Sequence, residues 1–153
     1  LKSKKKIHYY ILIPFLITII YKMIIYHPFQ NIYFNNYLNK ISHLNFEIDY
    51  DGLSGKKFLK EILALEKNKN IINIGVASWY PLHRSIKLLD KKDRKKINIV
   101  GQDFQKADYL YSNFISEVDK NINDKYKIPS NFTTISKFIL DDITVYEVFE
   151  KNK

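Results

Sequence analysis

Residues 2 to 26, KSKKKIHYYILIPFLITIIYKMIIY, join a basic cluster to a long apolar run. No other stretch limits so strongly what this chain can become. From Ile7 to Ile20 the clearly polar side chains are His8 and Thr18, and extension to Tyr26 adds Lys22. About 20 mainly apolar residues in a helix cross the hydrocarbon core of a bilayer, so the stretch Ile7 to Tyr26 predicts a transmembrane helix. Tyr9, Tyr10, Tyr21 and Tyr26 stand near its ends, where amphipathic rings favour the interface. Lys22 is near enough to one end to send its ammonium to the headgroups along its apolar stem. Pro14 is tolerated in membrane helices. The competing reading is a helix buried in a water-soluble core. A cleaved signal peptide fits less well, because no small-residue cleavage site follows. Lys2, Lys4, Lys5 and Lys6 precede the run and by the positive-inside rule stay in the cytoplasm. The rest is then expected outside it. The chain begins at Leu1 rather than Met, and further membrane spans are expected upstream.

The sequence holds 25 basic and 16 acidic residues, a net charge of +9. Setting aside Lys2, Lys4, Lys5, Lys6 and Lys22 leaves 20 against 16, or +4. That remainder, with no nucleic-acid motif and no basic stripe interleaved with aromatics, argues against a nucleic-acid partner. The densest basic run, Lys91-Lys92-Asp93-Arg94-Lys95-Lys96, reads as a solvated loop. There is no cysteine, so disulfides and thiolate metal sites are excluded. His8 and His43 have no partner at metal-ligand spacing. Asn131-Phe132-Thr133 fits a glycosylation sequon, which matters only in a eukaryotic secretory setting.

Pro28 disfavours helix at His27 and ends or bends the first element there. Three parts are expected: 1–26, basic flank and transmembrane helix; 27–45, interfacial connector; 46–153, extracytoplasmic α/β domain. Phe46-Glu47-Ile48-Asp49-Tyr50 alternates as a strand with one wet face, and Asp51-Gly52 gives a turn. Ser54 reads as the cap of a helix carrying Phe58, Leu59, Ile62, Leu63 and Leu65 at helical spacing. Residues 71–77 and 97–100 read as strands, 81–89 as a short helix with Pro81 near its first turn, and 107–114 as another strand. Residues 116–130 read as a loop. Ile135 to Leu140 and Ile143 to Phe149 flank Asp141-Asp142 as a β-hairpin. The order predicts a small α/β sandwich with a mixed sheet and a C-terminal hairpin.

Several of these segments resemble a known family. His27-Pro28-Phe29-Gln30 leading to Tyr33-Phe34-Asn35 resembles the "HPYQ…YFN" after the last membrane helix of a group of bacterial multi-span glycosyltransferases. These are related to mannosyl- and aminoarabinose-transferring enzymes that use polyprenyl-phosphate sugars. Phe46-Glu47-Ile48-Asp49-Tyr50-Asp51-Gly52-Leu53-Ser54 resembles their "FE.DYWG.S", and Ala107 to Phe114 their "ADY…NY" strand. The closing hairpin looks like their usual end. The likeness runs in order over most of the chain from His27. It departs at Asn36 to Ile41, where the family often has a glycine-rich stretch, and at Asp51, where it usually has Trp. The resemblance implies a last membrane helix plus a periplasmic domain at the bacterial inner membrane. It also implies partners: membrane lipid, upstream spans of the same protein, a polyprenyl-phosphate sugar, and a lipid or glycan acceptor. The family's catalytic acid is expected in an upstream loop, so no residue here is assigned that role, and no cofactor is implied.

The residues that can meet a substrate are His27, Gln30, Tyr33, Asn35, Asp49, Trp79 and Arg84. His27 can meet a lipid phosphate. Gln30, Tyr33 and Asn35 can line a groove near the headgroups or pack the domain onto the membrane part. Asp49, with Glu47 and Asp51 on the same strand face, can bind a cation or sugar hydroxyls, or form a plain wet face. Trp79 and Arg84 follow a strand at its carboxyl end, the usual ligand edge of α/β sheets. Trp79 can stack on a sugar and Arg84 can hold an anion, or the loop plugs the domain against a neighbour. No glycine-rich phosphate loop or nucleophile elbow is present. The alternative function is a single-span anchored binding domain without catalysis.

Overall fold

The computed structural model describes residues 2–30, 48–49, 51–115 and 124–152, with side chains from Tyr9 onward. Two compact units divide the chain, Leu1–Tyr33 and Phe34–Lys153.

The first unit is a helix, α1 (Lys2–Ile25), of 24 residues. Its apolar side chains face outward on every side: Ile11, Leu12, Ile13, Phe15, Leu16 and Ile17 are all exposed. The hydroxyl of Thr18, mid-helix, donates to the Pro14 carbonyl at 2.9 Å, so it needs no outside partner. The helix end is also closed. Gln30 Nε2 donates to the Met23 carbonyl at 3.2 Å and lies 3.0 Å from His27 Nδ1, which satisfies one of the carbonyls left over in the last turn. The His27–Pro28 peptide is cis. Among the described residues no helix is long and apolar enough to cross a membrane. The described side chains of α1 run from Tyr9 to Ile25, roughly 26 Å at 1.5 Å per residue, against about 30 Å of hydrocarbon. The expected crossing from Ile7 to Tyr26 therefore forms as a helix but falls short among those residues.

The second unit is α/β with a mixed sheet. After α2 (Ser54–Leu65) come β1 (Ile72–Val76), the one-turn helices α3 (His83–Ile86) and α4 (Lys91–Arg94), β2 (Ile97–Gly101), β3 (Tyr109–Ser112), β4 (Phe132–Leu140) and β5 (Ile143–Lys151). The strand order is β2-β1-β3-β5-β4. β1 runs parallel to β2 and β3, while β5 runs antiparallel to β3 and β4. The chain thus leaves β1 for one side of the sheet and returns to the other. The carboxyl ends of β1 and β3 become a topological switch point.

Residues 102–108 make that return across the sheet, and Gly75 lets them pass. A Cβ there would lie 2.5 Å from Leu110, 3.0 Å from Phe104 and 3.2 Å from Ala107. On that face Leu110, Phe132, Phe149 and Ala107 form a small core with Phe104, Val100 and Ile128. On the other face α2 buries Phe58, Leu59 and Ile62. Phe58 meets Tyr111 and Tyr146 at ring separations of 4.9 and 6.1 Å. The hairpin turns at Asp141 and Asp142, with φ of 42° and 66°. This left-handed pair matches the twist of the flanking strands.

Four local expectations change. Ile48 and Asp49 lie in a turn rather than a strand, because Asp49 is needed at the start of α2. Ser54 is the first helical residue and caps nothing with its side chain; the position before the helix is Leu53. The predicted helix 81–89 is regular only at His83–Ile86, and the basic run expected as a loop holds the exposed turn α4.

Candidate functional site

Asp49 is fully buried, and its carboxylate organises the switch point. Its Oδ1 accepts the Ser54 backbone N–H at 3.3 Å, so a residue five positions upstream does the work of a helix cap. Its Oδ2 accepts the Ser54 hydroxyl at 2.5 Å. Ser54 Oγ lies 2.6 Å from the Tyr111 hydroxyl, and that hydroxyl is also 3.3 Å from Asp49 Oδ2. From β3's carboxyl end, Asn113 Nδ2 donates to the Asp49 carbonyl at 3.3 Å and to Oδ2 at 3.4 Å.

The turn around Asp49 depends on Gly52. It has φ of +62°, and a Cβ there would fall 1.8 Å from the Tyr80 ring. Both the backbone angle and the space demand glycine. Gly55 brings α2 against α3 in the same way, with a Cβ position 2.4 Å from Ser85 Oγ. Tyr80 Oη in turn lies 3.2 Å from Ser85 Oγ.

Among the described residues every hydrogen-bond partner of the Asp49 carboxylate is a neutral hydroxyl, amide or backbone N–H. Burial pushes its pKa above the ordinary carboxylate value, and the hydrogen bonds from Ser54, Asn113 and Tyr111 pull it only part of the way back. Burial raises Tyr111 further, with the Asp49 charge second. The hydroxyl chain Tyr111–Ser54–Asp49 can carry a proton between neutral and charged forms. Among the described residues no group of three or more His, Cys, Asp or Glu side chains is placed to hold a metal ion.

Two buried polar atoms beside this network have no hydrogen-bond partner among the described residues: Ser78 Oγ, just past β1, and Asn113 Oδ1. Strand pairing continues past the ends of β1 and β3, through Ala77 N–H to the Tyr111 carbonyl at 2.8 Å and Trp79 N–H to the Ile115 carbonyl at 2.8 Å. Ser78 and Asn113 therefore stand side by side on the switch-point edge. Such unsatisfied groups are uncommon in folded proteins and call for an explanation.

The seven residues singled out from the sequence do not converge. His27 and Gln30 bond each other at the end of α1, in the other unit. Tyr33 and Asn35 lie outside the described residues. Asp49 is at the centre of the cluster, but Asp51 is exposed, so the two do not share a strand face; Glu47 lies outside the described residues. Trp79 stands at the end of β1 and is half exposed. Arg84 is exposed on α3, where the buried residue is Ser85. Sequence reasoning missed Ser54 as a donor, and with it Tyr111, Asn113 and Ser78. The i, i+2 spacing of Tyr111 and Asn113 was the available signal, since it places both on one face. No family model, no curated protein and no solved structure matches the chain.

Proposed function

We propose that this chain is the C-terminal part of a bacterial inner-membrane glycosyltransferase, with α1 in the bilayer and the α/β domain on the periplasmic side. The full enzyme would pass a sugar from a polyprenyl-phosphate donor to a lipid or glycan acceptor. The domain would shape the acceptor side, and the catalytic acid would come from elsewhere in the enzyme. The observation that carries the membrane half is α1, apolar and exposed on all sides, with its one mid-helix hydroxyl internally bonded. A helix apolar all round belongs in a large core or in lipid, and the exposed apolar stretch of α1 continues from Tyr9 to Ile25 with Lys22 as its one charged residue. The glycosyltransferase half is supported by two of the resembling stretches meeting in space. Asp49 and Ser54 come from one, Tyr111 and Asn113 from the other, and they share one hydrogen-bonded network.

The test is alkaline carbonate extraction of cell membranes followed by a transfer assay. The chain should stay in the pellet, and a longer enzyme carrying Asp49→Ala should lose transfer while a Trp79→Ala form tests the exposed aromatic loop. Release of the chain into the supernatant contradicts the anchoring. Full transfer by both variants removes the domain from the substrate path.

The second reading, an anchored binding domain without catalysis, is favoured by one observation. Ser78 Oγ and Asn113 Oδ1 offer unspent hydrogen bonding at the edge where α/β sheets take ligands.

A further inference from the structure

Charge in the domain is split by layer. Residues 54–96, which hold α2, α3 and α4, contain 12 basic and 4 acidic side chains, a net of +8. Residues 97–153 contain 7 basic and 9 acidic, a net of −2. Folding sharpens the split. The two acids of the α2 region turn toward the sheet and serve tyrosines: Tyr146 Oη donates to Glu61 at 2.7 Å and Tyr109 Oη to Glu66 at 2.8 Å.

The three helices form one layer. α2 touches α3 through the close approach of Gly55 to Ser85 and Leu82. Arg94 of α4 donates to the Leu89 and Lys87 carbonyls, both at 2.7 Å. Lys96 Nζ reaches the Lys67 carbonyl, beyond the end of α2, at 3.0 Å. The outward side chains left over include Lys56, Lys60, Arg84, Lys87, Lys91 and Lys92, all exposed, and none is in an ion pair among the described residues. Leu65 and Leu88 are exposed within the same segment, at 56% and 59%.

We propose that this outer helical layer is a docking surface for anionic phospholipid headgroups. Lysine and arginine heads meet the phosphates, their stems and the two leucines meet the boundary of the acyl region, and Glu61 and Glu66 are turned away to the sheet tyrosines, which leaves Asp90 and Asp93 as the layer's remaining acids. Each basic residue near an anionic leaflet strengthens attachment about fivefold. The exposed apolar residues of this segment outside the β1–α3 connection are aliphatic, which suits a lipid boundary better than the base stacking of a nucleic-acid site. The inference rests on the anchored reading of α1, which keeps the domain at a membrane surface.

The test reconstitutes the whole chain into vesicles of phosphatidylcholine, alone or with about one-third phosphatidylglycerol. A water-soluble amine-acylating reagent then labels lysines, read by mass spectrometry. Lys56, Lys60, Lys87 and Lys91 should label at least about fivefold more slowly on the anionic vesicles, with the protection lost in about 1 M salt. Lys106 and Lys137, in the strand half, should label equally on both. Replacing the four protected lysines with glutamine, Lys56→Gln, Lys60→Gln, Lys87→Gln and Lys91→Gln, should abolish the extra attachment without unfolding the chain. Equal labelling of the four on both vesicles overturns the proposal. So does protection by added oligonucleotide but not by phosphatidylglycerol. A chain that floats only with anionic vesicles and still protects these lysines keeps the docking surface and sinks the anchoring.

Discussion

The two ends of the central strands β1 and β3 carry polar clusters built on opposite terms. At the amino end, Asp108 sits half exposed and is tied on every side. Its Oδ2 accepts the Asn73 N–H at 2.8 Å, its own N–H donates to the Asn73 carbonyl at 2.8 Å, and Lys69 pairs with its Oδ1 at 2.8 Å. Tyr109 beside it donates to Glu66 and Glu150, and burial followed by those carboxylates raises its pKa. At the carboxyl end Asp49 is fully buried, and among the described residues its donors are all neutral and two neighbouring polar atoms are unpaired. A surface ion cluster exchanges its partners with water at little loss. A buried carboxylate cannot, so removing it strands every group that pointed at it. The fold therefore depends on its carboxyl end far more than on its amino end, even though the amino end shows the more familiar ion pair.

That contrast sets an order of effects. Asp49→Ala leaves the Ser54 N–H, its hydroxyl and Tyr111 Oη short of an acceptor, and should cost about 3 kcal/mol in urea unfolding. Asp108→Ala should cost about 1 kcal/mol, since water reaches its partners. If the two losses are equal, the contrast is gone. Tyr111→Phe should cost about 1.5 kcal/mol and Tyr109→Phe under about 1 kcal/mol, each measured the same way.

The pH dependence follows from burial. Asp49 holds its proton more tightly folded than unfolded, so the native state binds the extra proton and stability falls as pH rises. The fall starts at about pH 4 and ends once the raised value is passed. Asp49→Asn should flatten that stretch of the stability profile, because the amide does not titrate. A profile unchanged by Asp49→Asn would mean that the carboxyl is not desolvated.

Ser78→Ala gives the smallest effect. An unpaired buried hydroxyl contributes no hydrogen bond, so its loss should change stability by no more than about 0.5 kcal/mol in either direction. A loss of 2 kcal/mol or more, to order of magnitude, would mean that Ser78 Oγ has a structural partner, and the site would no longer hold spare bonding capacity.

Much of the sheet was legible in the chain. Ile72-Asn73-Ile74 and Ile97-Asn98-Ile99 announce strands through β-branched runs, and Asp141-Asp142 announces the hairpin because two short acids accept left-handed angles. The site was far less legible. The alternation of Phe46 to Tyr50 read as a strand, yet Asp49 is drawn into a turn by a bond to Ser54 that no period encodes. Tyr111 and Asn113 reach Asp49 only because β3 lies beside β1 and because α2 starts above that edge, a pairing at a sequence distance of more than sixty residues. Arg84 read as an anion ligand from its place after β1. The single turn of α3 buries Ser85 against Gly55 instead and leaves Arg84 outside.

The coupling between Asp49 and Tyr111 tests the account at its centre. A double-mutant cycle of Asp49→Ala and Tyr111→Phe, read by urea unfolding, should give an interaction energy of about 1 to 2 kcal/mol, as groups in one buried network do. Losses that add to within about 0.3 kcal/mol would show the two residues acting independently and would contradict the network on which the carboxyl end is built.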